Sequence, residues 1–215
     1  MAAFRQHISL GAILSAAGVA VVFFYGFLTD PLLLIIFFLV GTVGSTLPDV
    51  DSDSGLPFLF TFGLATVGVG AAVLYYMLIK APANQYELIG VPIGALIFFW
   101  FVVGGLFKRI THHRGIWHSV PALGIASTST YVVTTYLSNN AWIALIMAGA
   151  MTLGFLSHLV LDEIVSDVNL DGSAFAPKRS LGTALKLVSP SHTVTFFAYA
   201  LLCGLVYIAL HPMVL

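Results

Sequence analysis

The sequence predicts an all-α, polytopic membrane protein, a helical bundle of about seven transmembrane helices, and three observations carry that expectation. Only 8% of the 215 residues are charged and 59% are hydrophobic, whereas a soluble domain carries about 25% charge. The apolar residues gather into seven runs, each approaching the ~20 residues a helix needs to cross the hydrocarbon. Short polar breaks separate them, and backbone groups in lipid must pair within their own segment, so the runs are expected to be helices of one integral-membrane domain, 1–215.

The first run, 8–28, follows Arg5. It is longer than the roughly 7–15 residues of a signal-peptide core, and GFLTD at its end is a poor cleavage site, so a retained first helix is expected. The second, 31–48, is the weakest, because Gly41, Gly44 and Pro48 thin its end. The third, 57–79, holds Gly63, Gly68, Gly70, Ala71 and Ala72, small residues of the kind that let helices pack closely. The remaining runs are 87–107, 119–137, 141–162 and 193–213, and the longest polar stretch is 163–192. Cys203 is the single cysteine, which excludes an internal disulfide and a cysteine metal cluster. A net charge of −1 gives no basic patch and argues against a nucleic-acid partner; the bilayer is the partner expected.

Seven crossings assign each loop to a side. Arg5, Lys108, Arg109, Arg114, Lys178, Arg179 and Lys186 fall on the side of the N-terminus, and Lys80 alone on the other. That asymmetry places the N-terminal side in the cytoplasm. The same assignment gathers the metal-ligating residue types. His7, Asp49, Asp51 and Asp53, then His112, His113 and His118, then His158 and Asp162, and finally His192 all map to this face, leaving His211 and Asp30 as exceptions. Scattered structural groups have no reason to choose one face; a shared site does.

The spacing suits a metal. His158 and Asp162, in SHLVLDE, are four apart and share a helix face. Both lie near the end of an apolar helix, where ionisable groups are costly and usually functional. His113 and His118, in HHRGIWHS, are separated by Gly115, which lets the chain turn so that both rings converge. Asp49 and Asp51 could bridge two ions. Mixed imidazole and carboxylate ligands suit zinc, iron or manganese better than calcium or magnesium. Two ions, about 3.5–4 Å apart as in two-metal hydrolases, fit so many donors. Simpler readings cover some of the groups. DVDSDSG begins like an EF-hand loop, but Ser54 and Phe60 stand where its glycine and glutamate belong. His7 alone reads equally well as an interfacial residue, His112 points away from its neighbour His113, His192 can simply begin a helix, and Arg114 can snorkel to headgroups.

LPDVD, HRGIWHS and HLVLDE, in this order and after an N-terminal histidine in HISLG, resemble the YdjM-like family of membrane-bound, metal-dependent hydrolases, some of them described as LexA-regulated inner-membrane proteins. The resemblance covers roughly residues 5 to 190, with Trp117 where threonine is usual. It implies a bacterial or archaeal inner-membrane protein with His7, Asp49, Asp51, His113, Arg114, His118, His158 and Asp162 at its site. It also implies a distant likeness to zinc-dependent phospholipase C and the P1 nucleases, helical enzymes that cleave phosphoesters with three zinc ions.

The expected activity is metal-assisted hydrolysis of a phospholipid or lipid-linked phosphate at the cytoplasmic face. Asp49 or Asp51 would act as general base, and Arg114, Lys178 and Arg179 would hold the phosphate. A metal transporter and a purely structural metal site are the rival readings. Transport sites are expected near the bilayer midplane, and an open coordination position separates a catalytic metal from a structural one.

Overall fold

The computed structural model describes residues 4–51, 55–79, 84–110, 116–167 and 185–211. Among them all regular structure is helical. The elements are α1 (Phe4–Phe24), α2 (Pro31–Gly44), a 3-10 turn (Leu47–Asp51), α3 (Leu56–Ile79), α4 (Gln85–Ile97), a π-helical stretch (Phe98–Val103), α5 (Gly104–Ile110), α6 (Val120–Ser138), α7 (Ala141–Asp167) and α8 (His192–Leu210). Because α4 runs without a break through the π turn into α5, the described residues form seven helical rods. Five are long and apolar enough to cross a membrane, and the chain is a polytopic membrane bundle.

The two rods that miss that standard do so for different reasons. With 14 residues, α2 is about 21 Å long at 1.5 Å per residue, short of the ~30 Å hydrocarbon. The sequence placed its end at Pro48, but the chain tightens into the 3-10 turn after Gly44. In α6 length is sufficient, but six serine and threonine hydroxyls between positions 127 and 135 lower its hydropathy. Thr130 and Thr135 return their hydroxyls to carbonyls one turn back, and Ser127 meets Thr152 of α7 at 2.8 Å. Such internal pairing is what lets hydroxyls sit in lipid.

The helix ends follow their local chemistry. Asp30 caps α2, its carboxylate accepting from the Leu32 and Leu33 amides at 2.8 and 3.0 Å, with Pro31 at the first helical position. The α1 helix stops before Gly26, whose φ of +70° only glycine adopts freely. Ser119 begins α6 by accepting from the Ala122 amide.

The chain divides into two compact units, Met1–Asp49 with Arg114–Leu215, and Val50–His113. In the first, α7 is central: α1, α2 and α6 pack on it and α8 lies on α6. Its apolar window is 61% buried against 6% for α8. One core cluster joins Leu28 and Phe37 to Met147 and Ala150; a second joins Ala122 to Phe155 and Leu159, with Leu47 and Trp117 beside it. Between α2 and α7 the contact is backbone on backbone, whereas α1 meets the Ser45 side chain. A Cβ added at Gly154 would lie 1.8 Å from the Gly41 carbonyl oxygen, and one at Gly11 would lie 2.1 Å from Ser45 Oγ.

In the second unit α3 packs on α4 and the π stretch. Of the α3 glycines, Gly70 abuts Leu96, whereas Gly63 and Gly68 have no neighbour within 4 Å of an added Cβ, so the small face read from the sequence is used only at its end. Phe58 and Phe62 stack at 4.5 Å among Phe99, Trp100 and Phe107, and Lys108 Nζ sits 4.0 Å over the Phe58 ring.

Candidate metal centre

Three helix ends of the first unit meet an inner stretch of α7, which runs on to Asp167 rather than giving way to a polar loop at 163, and each delivers a donor. In the first turn of α1, His7 is 1% exposed. Asp49 lies on the 3-10 turn that follows α2. Just before α6, His118 is held in place as its neighbour Ser119 donates to the Ile116 carbonyl. One helical turn of α7 presents both His158 and Asp162, as their spacing of four requires. The carboxylates and rings interlock. Asp162 Oδ1 is 3.2 Å from His7 Nε2, and its Oδ2 is 3.7 Å from His158 Nε2 and 3.9 Å from His118 Nε2. Asp49 Oδ1 is 3.1 Å from His118 Nε2 and 3.7 Å from His158 Nε2. The His7 and His158 rings stack at 3.7 Å, 13° from parallel.

Two sets of three donors, His7–His158–Asp162 and Asp49–His118–His158, each have their ligand atoms within 4.8 Å of one another. A tetrahedral ion with ligands at about 2.0–2.2 Å needs donors roughly 3.3–3.6 Å apart, so these separations are close to what a cation requires. The chemistry of the donors fits as well. His158 Nδ1 lies 2.7 Å from the Ser45 carbonyl. A carbonyl only accepts, so Nδ1 carries the proton and Nε2 is left with its lone pair. That nitrogen is fully buried, makes no hydrogen bond among the described residues, and faces two carboxylate oxygens that are also electron-rich. Three lone pairs aimed at one point repel unless a cation or a proton sits between them. A ligand histidine anchored through its other nitrogen is the usual second shell of a metal site.

Of the five donors Asp49 is the least enclosed, at 13% exposed, while the other four are at 3% or less. Burial pushes the Asp49 carboxyl up, but the His118 hydrogen bond and the charges of His158, His118 and His7 together outweigh it, leaving the group below the ordinary carboxylate value. A lowered folded value means stability that is present above the unfolded value and lost as pH falls through the folded one. Wild-type protein in detergent is therefore expected to lose thermal stability more steeply than Asp49→Asn as pH drops below about 4. Melting midpoints measured across that range check it; equal slopes would contradict it.

Of the sequence-derived candidates, His7, Asp49, His118, His158 and Asp162 come together. Asp51 closes the 3-10 turn, but its side chain, with His113, Arg114, Lys178 and Arg179, lies outside the described residues. His192 is exposed at the start of α8, which Ser191 caps. The sequence did not point to Ser45, because a main-chain carbonyl leaves no trace in residue type. A weak signal existed: a glycine stands four residues from each of two histidines, Gly11 after His7 and Gly154 before His158.

The profile of a protein family described as YdjM inner membrane protein matches residues 1–214. No curated protein and no solved structure matches the chain.

Proposed function

This chain belongs to the YdjM inner membrane protein family, and from that premise and the donor cluster we propose a membrane-embedded, metal-dependent hydrolase of a phosphoester or lipid-linked phosphate, working at the cytoplasmic face. The observation that carries the reading is the convergence of three imidazoles and two carboxylates, with the His158 lone pair held toward both acids. Bound there, a divalent ion, with zinc first and manganese or iron as alternatives, would lower the pKa of its water to about 7.

His7, His118, His158 and Asp162 would hold the ion from inside the bundle. Asp49, the most exposed donor, stands where substrate would approach and would take the proton from the attacking water. Two ions would need further donors, because one imidazole nitrogen serves one ion and His158 is common to both triads. Asp51 and His113 are the residues proposed for that role. Arg114, Lys178 and Arg179 are proposed to hold the phosphate, arginine through paired hydrogen bonds. His7, Asp49 and His118 lie at helix ends, which favours headgroup-level chemistry over the mid-bilayer site of a transporter.

Two measurements test the reading. Protein purified from metal-replete medium is expected to carry stoichiometric metal, and a purification that yields none would end the proposal. A panel of phosphomonoesters, phosphodiesters and phospholipids should then include a substrate that the wild type hydrolyses and Asp49→Asn does not. Metal-loaded protein that cleaves nothing on the panel but moves metal into vesicles would make it a transporter.

A further inference from the structure

We propose that Ser45 is the positioning residue of this centre: its main-chain carbonyl fixes the tautomer and angle of His158, and Gly11 and Gly154 lock it in place. The proposal rests on the metal reading above and adds what holds the ligands in register.

Ser45 follows the last residue of α2, where carbonyls have no donor within their own helix and are available to a side chain. It is fully buried, and its carbonyl receives the His158 Nδ1 proton at 2.7 Å. Its hydroxyl is turned the other way and donates to the Thr42 carbonyl at 2.7 Å, so the two polar groups of one residue have separate tasks. Two glycines grip it. On α1, a Cβ at Gly11 would come within 2.1 Å of Ser45 Oγ and 2.3 Å of its Cβ. On α7, a Cβ at Gly154 would come within 3.0 Å of the Ser45 amide nitrogen. Each glycine lies one turn from a candidate ligand on its own helix, Gly11 from His7 and Gly154 from His158. The approach of α1 and α7 to residue 45 thus sets where the two imidazoles arrive, and they arrive stacked at 3.7 Å. No side-chain substitution at 45 removes a carbonyl. The informative changes are those that displace it.

Gly11→Ala puts a methyl where Ser45 already is. Cobalt titration of the purified protein, followed by its visible absorption, is expected to show about 10–100-fold weaker binding, the range for loss of an orienting partner, with an altered spectrum. Ser45→Gly keeps the carbonyl but gives up the side chain that Gly11 abuts, so it should bind more weakly than wild type and more tightly than Gly11→Ala. The double variant Gly11→Ala/Ser45→Gly leaves Cα of residue 45 as the nearest atom of that residue to the new methyl, at 3.7 Å, and should recover both affinity and spectrum. Wild-type binding by Gly11→Ala, or no recovery in the double variant, overturns the proposal. Should Gly11→Ala fail to fold, wild type decides through NMR of isotope-labelled histidine in the metal-free protein. His158 protonated on Nδ1 supports the assignment, and protonation on Nε2 alone overturns it. Wild-type protein that takes up no cobalt or zinc would sink the metal reading, and the tautomer measurement would still judge Ser45 on its own.

Discussion

Substituting His158 by alanine is expected to strip the protein of bound metal and of any stabilisation by added zinc. This ring is the one donor common to both triads, so its loss breaks both at once, whereas His7→Ala or His118→Ala each spare one. The effect on affinity should exceed the 10–100-fold typical of losing an orienting neighbour, because here a proposed ligand itself is gone. A second cost falls on the fold. The Ser45 carbonyl, buried and matched to His158 Nδ1, loses its donor, which costs about 1–3 kcal/mol, and the vacated ring volume adds to it. Thermal melts in detergent separate the two costs. Zinc at about 100 times its Kd should stabilise wild type by about 2.7 kcal/mol and should not move the variant, whose baseline midpoint is already lower. Elemental analysis showing wild-type metal in His158→Ala would contradict this.

The largest purely structural effect is expected at Gly154. An alanine methyl there would sit 1.8 Å from the Gly41 carbonyl oxygen. That obstacle is main chain in the last turn of α2, and no rotamer change relieves it. Overpacking of this kind typically costs about 1–3 kcal/mol, and with backbone against backbone the upper end or beyond is expected. Gly149 and Gly204 are the controls. Each is helical, and a Cβ at either meets nothing within 4 Å. Alanine at these two should be neutral or stabilising, by as much as about 1 kcal/mol from helix propensity alone. Melting midpoints of the three alanine variants would test the contrast, and a Gly154→Ala protein as stable as Gly149→Ala would refute the close seam.

Much of this was legible in the residues, and the part that was not has an identifiable cause. Hydropathy runs placed the seven rods, because desolvation acts on each segment separately. The alternation of crossings assigned His7, Asp49, His118, His158 and Asp162 to one face, and the structure brings these five together. What hydropathy cannot register is which neighbour a residue meets. Gly41 and Gly44 read as a weakening of the second run, yet they are where α2 lies against the α7 backbone. Gly63 and Gly68 read as a packing face and face open space. The same blindness hid the hydroxyl pair Ser127–Thr152 and the hydrogen bond to Ser45. The run 87–107 marked one rod from α4 into α5, but the π-helical turn of FFWFVV within it had no marker, since every residue there is apolar whichever helix type it adopts.

The brevity of α2 bears on more than packing. A rod about 21 Å long leaves close to a third of an average hydrocarbon layer unmatched. Lipids beside it must shorten or splay, or the helix must draw the nearby leaflet inward, at a fraction of a kcal/mol for each ångström. An inward-drawn leaflet would set the acid-bearing turn after α2 in a dimple rather than on a flat surface. If the proposed lipid-phosphate substrate is right, acyl-chain length in the host membrane would govern how readily a headgroup comes within reach of Asp49.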